Sequence, residues 1–130
     1  MAAWTTESWT APAIPESVQF LRGEVARFAS GASVGDPPLS DVRLAVSEAV
    51  TNVVLHGYVS QAEPGPIDVT ATIDGGALLV SIADEGSGMA PRLDSPGMGV
   101  GLPLITSVAD RLEIRACDPH GTELLLGFDF

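Results

Sequence analysis

Three groups of residues in this 130-residue chain have the types and spacing to do chemistry. Glu48 and Asn52 stand four apart. On a helix that spacing puts both side chains on one face, where a carboxylate can take up a proton and a carboxamide oxygen can meet a hard cation such as Mg²⁺. Asp84 opens the run Asp84-Glu85-Gly86-Ser87-Gly88-Met89, and its carboxylate can accept a hydrogen bond from an exocyclic amine. After a short proline-containing loop comes Gly97-Met98-Gly99-Val100-Gly101-Leu102. Three alternating glycines just before a helix start let a ligand approach the backbone, and the free amides and positive end of the helix dipole favour an anion. Two plainer readings stay open on the residues alone: a glycine-rich surface loop, and a solvated helix edge for Glu48 and Asn52.

These residues need elements to position them. Trp4 to Ala11 reads as an edge strand, ended by Pro12 and Pro15. Pro15 suits the first turn of a helix whose apolar stripe is Val18, Leu21, Val25 and Phe28, with Arg22, Glu24 and Arg27 on the other face. Asp36-Pro37-Pro38 opens a second helix running to about His56 and ended by Gly57, with Val42, Ala45, Val46, Ala49 and Val53 facing the core. His56 is one turn beyond Asn52 and is assigned a structural role. Ile67, Val69, Ala71 and Ile73 alternate with polar residues as a half-buried strand, Asp74-Gly75-Gly76 reverses the chain, and Leu78 to Ala83 returns to deliver Asp84 to the glycines. A helix over Leu102 to Ala109 and strands over Arg111 to Cys117 and Thr122 to Phe130 complete the order. The expected fold is α+β: a two-layer sandwich of a mixed, mostly antiparallel sheet with helices on one face.

Composition narrows the ligand. All six basic residues are arginines, and with no lysine a P-loop is excluded. The net charge of −11 disfavours nucleic acid, and it means that a polyphosphate would need a divalent cation and backbone N–H groups to offset its charge. With 45% apolar and 18% charged residues, we expect one globular domain over residues 1–130. No apolar run approaches the ~18 residues of a membrane span, and the first residues lack the pattern of a secretory leader, so a cytoplasmic location is expected. The single cysteine, Cys117, precludes an internal disulfide.

Taken together, these segments resemble the ATP-binding fold shared by gyrase, the Hsp90 chaperone, histidine kinases and MutL (GHKL, the Bergerat fold). Ser47 to Asn52 looks like its N box, Asp84 to Met89 its first glycine box, Gly97 to Leu102 its second, and Gly121-Thr122 its last nucleotide-contacting motif. Ala45-Val-Ser-Glu-Ala-Val-Thr-Asn-Val-Val-Leu-His-Gly-Tyr58 is similar, more narrowly, to the anti-sigma-factor serine kinases. The resemblance implies ATP and Mg²⁺ as cofactors. It gives Asn52 the metal, Asp84 the adenine amine, Gly86, Gly88 and Met89 the wall of the adenine pocket, and Thr122 the adenine edge. Gly97, Gly99, Val100, Gly101 and Leu102 would surround the phosphates, and Glu48 would be the general base toward a serine hydroxyl. The implied partners are a STAS-type anti-sigma-factor antagonist and a sigma factor, with homodimerisation and no direct contact to nucleic acid or membrane. The exposed side of the first helix around Arg22 and Arg27 is a candidate sigma-factor contact. The loop between Met89 and Gly97 is shorter than the lid of the sporulation-type kinases, and Arg92 is its only cation. A non-catalytic ATP/ADP-binding interaction module is therefore the alternative.

Overall fold

The computed structural model describes residues 5–59, 61–86, 101–117 and 119–130. Gly88, Met89, Arg92, Gly97, Gly99 and Val100 lie outside the described residues. The elements run β1 (Thr5–Pro12), α1 (Pro15–Gly31), α2 (Pro38–Asn52), a π turn (Val53–Gly57), β2 (Pro66–Asp74), β3 (Ala77–Asp84), α3 (Gly101–Val108), β4 (Arg111–Ala116) and β5 (Thr122–Asp129).

The strands form one sheet in the order β1-β2-β3-β5-β4. All four pairings are antiparallel, so the described sheet is simpler than the mixed one expected. β1 is an edge, which is why it tolerates Pro12 at its end. Alternation along each strand sends one set of side chains toward the helices. On that face Ile67, Val69, Ala71 and Ile73 of β2 lie beside Leu78, Val80 and Ile82 of β3 and Leu124, Leu126 and Phe128 of β5, all buried. The opposite face is polar: Thr6 bonds Thr72, Ser8 bonds Thr70, Thr10 donates to Asp68 and Ser81 donates to Glu123. This contrast is the two-layer arrangement, with a sheet solvated on one side.

The helices supply the other half of the core. Leu21, Val25, Phe28 and Ala29 of α1, Val42, Ala45, Val46, Ala49 and Val50 of α2, and Leu102 and Ile105 of α3 are buried. Each large apolar side chain so placed contributes about 1.5–3 kcal/mol relative to exposure. α2 lies between the other two helices, in contact with both. Glu48 and Asn52 lie on the half-buried edge of this central helix. Among the described residues no helix is long and apolar enough to cross a membrane.

The expected second helix differs at its end. Its α geometry stops at Asn52, and Val53–Gly57 forms a π turn. Gly57 makes this possible: a Cβ there would stand 3.1 Å from Val53 Cγ1 and 3.8 Å from Asp84 Cγ. The widened turn thus settles onto Val53 and brings the helix end to the end of β3. π turns inside helices are frequently found at functional sites.

Candidate functional site

β3 ends by carrying Asp84 to the helix-facing side of the sheet, directly opposite Thr122 at the start of β5. Both residues are buried, on a sheet face whose other buried side chains from β2, β3 and β5 are apolar. Burial pushes the Asp84 carboxyl above the usual carboxylate range, while backbone hydrogen bonds from Gly86 and Thr122 pull against that rise. The Gly86 N–H donates to Asp84 Oδ1 at 2.8 Å. The carboxylate is therefore held by the backbone of its own glycine box.

Two glycines allow the chain to close around it. A Cβ on Gly86 would overlap the carbonyl oxygen of Gly57 and stand 2.8 Å from that carbonyl carbon. Gly121, at φ +117°, would put a Cβ into the carbonyl oxygen of Asp84 and 3.2 Å from its carbon. A positive φ and the lack of space both demand glycine at 121. The π turn, residues 84–86 and the Gly121-Thr122 pair are consequently in backbone contact. Three segments far apart in the chain meet at Asp84.

Glu48 and Asn52 share the half-buried edge of α2 one turn apart. Asn52 Nδ2 is buried and has no hydrogen-bond partner among the described residues. A buried amide without a partner costs roughly 1–3 kcal/mol, so this side chain suits a ligand that supplies the missing bond. A divalent cation with bound phosphate fits that requirement, because the carboxamide oxygen can meet the cation and the amide nitrogen a phosphate oxygen. Gly101, from the second glycine box, is the first residue of α3, and Leu102 is buried behind it. Gly88, Met89, Arg92, Gly97, Gly99 and Val100 fall outside the described residues, so their proposed roles rest on sequence.

Two side chains tie this site together that the motif spacing did not single out. The Tyr58 hydroxyl donates to the Pro66 carbonyl at 2.6 Å and accepts from the Glu85 N–H at 2.7 Å. Tyr58 is buried, and its ring lies so close to Gly65 that a Cβ there would stand 2.6 Å from Cζ. His120 Nδ1 is 2.9 Å from the Gly86 carbonyl oxygen, a pairing that requires the proton on Nδ1. An aromatic hydroxyl just after the helix-ending glycine and a ring just before Gly121 were the available signals. The arginines of the first helix have intramolecular partners: Arg27 pairs with Glu7 and Glu24, and Arg22 donates to Ser47 Oγ at 3.4 Å.

An ATPase-type domain is the class that this fold defines. The histidine kinase-like ATPase domain matches residues 11–128. An anti-sigma F factor of Clostridium acetobutylicum is 32% identical over 122 residues, covering 85% of this chain and 84% of its own. One from Thermoanaerobacter sp. is 32% identical over 118 residues, covering 82% of this chain and 81% of its own. Among solved structures, the RsbU and RsbW domains of Rv1364c from Mycobacterium tuberculosis superpose with a TM-score of 0.76 at 22% identity, over 96% of this chain and 32% of that one. The histidine kinase domain of a blue-light-activated kinase from Erythrobacter litoralis gives 0.63 at 15% identity, over 91% and 61%. The chain belongs to the histidine kinase-like ATPase family and, within that GHKL superfamily, to the anti-sigma-factor kinases.

Proposed function

We propose that this protein binds Mg²⁺·ATP at Asp84, Asn52 and the two glycine boxes, and acts as an anti-sigma factor with serine/threonine kinase activity. Its substrate would be a STAS-type anti-sigma-factor antagonist, and its second partner a sigma factor that it sequesters, with the protein working as a homodimer. The meeting of the N-box helix, Asp84 to Gly86 and Gly121-Thr122 around one buried carboxylate is the observation that carries this reading.

Asp84 would accept a hydrogen bond from the adenine amine, with Oδ1 already oriented by the Gly86 N–H. Thr122 faces Asp84 across the sheet and would take the adjoining adenine edge. Gly86 and the more distant Gly88 and Met89 would wall the base, while Gly97, Gly99, Val100, Gly101 and Leu102 would line the phosphates and Arg92 would meet the terminal one. Asn52 would hold the Mg²⁺, which when bound offsets phosphate charge that a −11 chain does not. Glu48, one turn before Asn52, would orient the partner's serine hydroxyl and accept its proton as that oxygen attacks the γ-phosphorus and the bond to ADP breaks.

The test is phosphoserine formation on a candidate antagonist with labelled ATP. General-base catalysis is worth about 10²–10⁴-fold. Glu48→Ala is therefore expected to cut transfer at least about 100-fold while nucleotide affinity holds. Equal transfer by both proteins would remove Glu48 from the chemistry. A second reading, a non-catalytic ATP/ADP-binding module, is favoured by the short interval between Met89 and Gly97, and no phosphoserine from any antagonist despite tight nucleotide binding would support it.

A further inference from the structure

The backbone at Glu85-Gly86 is gripped from two sides by side chains outside the proposed set of nucleotide contacts. On one side the Tyr58 hydroxyl bridges the Glu85 N–H to the Pro66 carbonyl at the start of β2. On the other, the His120 ring, in the turn between β4 and β5, bonds the Gly86 carbonyl. Gly86 is thereby fixed at its carbonyl oxygen while its N–H, in the preceding peptide group, donates to Asp84 Oδ1. The two grips come from different parts of the fold, the end of the π turn and the β4–β5 turn, and neither side chain needs to touch a ligand to act.

We infer that Tyr58 and His120 are positioning residues that set the Asp84 carboxylate for recognition of an adenine amine, and hence determine base specificity. The inference rests on the nucleotide reading above. Its physical basis is directional: a carboxylate rewards an amine at the base edge and repels a carbonyl oxygen there. It discriminates adenine from guanine only while its orientation is fixed. Loosening the Glu85-Gly86 backbone lets the carboxylate rotate, so ATP affinity falls more than GTP affinity. Tyr58 is well suited to this task because both capacities of its hydroxyl are used between backbone groups, with the ring immobilised against Gly65. His120 is more exposed and acts as a removable outer latch.

The experiment compares wild type, Tyr58→Phe, His120→Ala and His120→Asn by calorimetric titration with Mg²⁺·ATP and Mg²⁺·GTP, alongside amide hydrogen exchange in the nucleotide-free proteins. Tyr58→Phe keeps the ring and removes one oxygen, and His120→Asn retains an N–H donor near the position of Nδ1. Tyr58→Phe and His120→Ala are expected to shrink the ATP-to-GTP affinity ratio about three- to tenfold each, the range of one lost hydrogen bond. His120→Asn restores most of the ratio. Exchange at the Glu85 and Gly86 amides rises in the first two variants, without ligand. A purely structural role would lower thermal stability and both affinities together, leaving the ratio fixed, and that result overturns the inference. So does a His120→Asn protein as impaired as His120→Ala. If wild type binds no adenine nucleotide, the nucleotide reading fails; the exchange arm then decides the clamp separately, and unchanged amide exchange overturns it.

Discussion

Substituting Gly86 by alanine probes the tightest contact in the site. The added Cβ would overlap the Gly57 carbonyl oxygen, stand 2.8 Å from its carbon and 3.0 Å from Asp84 Oδ1. Real Cβ contacts stay above 3.0 Å, and the obstructing atoms at Gly57 are backbone. Relief therefore requires the π turn and the glycine box to part by about 1 Å, a forced repacking that costs about 1–3 kcal/mol of stability. The same Cβ crowds Asp84 Oδ1, so the adjustment that admits it also displaces the Gly86 N–H and breaks its 2.8 Å bond to Asp84. Losing a hydrogen bond to a charged group is worth about 1.5–3 kcal/mol, so ATP affinity is expected to fall about 10- to 100-fold. Calorimetric titration with Mg²⁺·ATP, after circular dichroism confirms a folded variant, reads the effect. Gly75→Ala is the control: Gly75 has φ +63° but open space around it, so that variant pays roughly 1–2 kcal/mol of backbone strain and keeps wild-type affinity. A folded Gly86→Ala protein with wild-type ATP affinity would refute the account of how Asp84 is held.

Other outcomes follow from the same structure. Gly23 lies inside α1 with nothing within 4 Å of where a Cβ would stand, so Gly23→Ala should stabilise the protein by ~0.8–1 kcal/mol and raise Tm by roughly 3–5 °C on thermal melting. Burial raises the Asp84 pKa, so in the ligand-free protein the penalty for its ionised form is fully present above the folded pKa and is relieved as pH falls through it toward the unfolded value. The Tm difference between Asp84→Asn and wild type should accordingly narrow as pH falls through that window, whereas a difference independent of pH would show that the carboxylate is not strained by burial. Cutting the Arg111–Asp129 pair with Arg111→Ala should change stability by less than about 1 kcal/mol, since both side chains are more than half exposed.

Much of this architecture was legible because burial leaves a period in the sequence. Ile67, Val69, Ala71 and Ile73 announce a one-sided strand, and Val42, Ala45, Val46 and Ala49 a one-sided helix, and each lies buried where its period puts it. The place of Asp84 at a strand end was legible too, since a strand followed by glycines has few other outcomes. Strand order was not: alternation tells which face a side chain takes and nothing about which strand lies alongside, so the pairing of β3 with β5 came only with the fold, and the meeting of Asp84 with Thr122 was implied beforehand by the family resemblance alone. The π turn was also hidden, because Val53 to Gly57 continues the helical apolar pattern and the change of geometry depends on Gly57 settling against Val53 and Asp84. Tyr58 and His120 escaped notice for a related reason. Their hydroxyl and ring act on backbone atoms of distant segments, and backbone acceptors carry no residue-type signal.

The central claim is a Mg²⁺-dependent adenine-nucleotide site built on Asn52 and Asp84. Calorimetric titration of the wild-type protein with ATP, with and without Mg²⁺, tests it most directly when run beside Asn52→Ala. Saturable ATP binding that Mg²⁺ strengthens is expected of the wild type, and in Asn52→Ala that strengthening is lost while the fold is kept. Absence of ATP binding by the folded wild-type protein, or the same response to Mg²⁺ in Asn52→Ala, would contradict it.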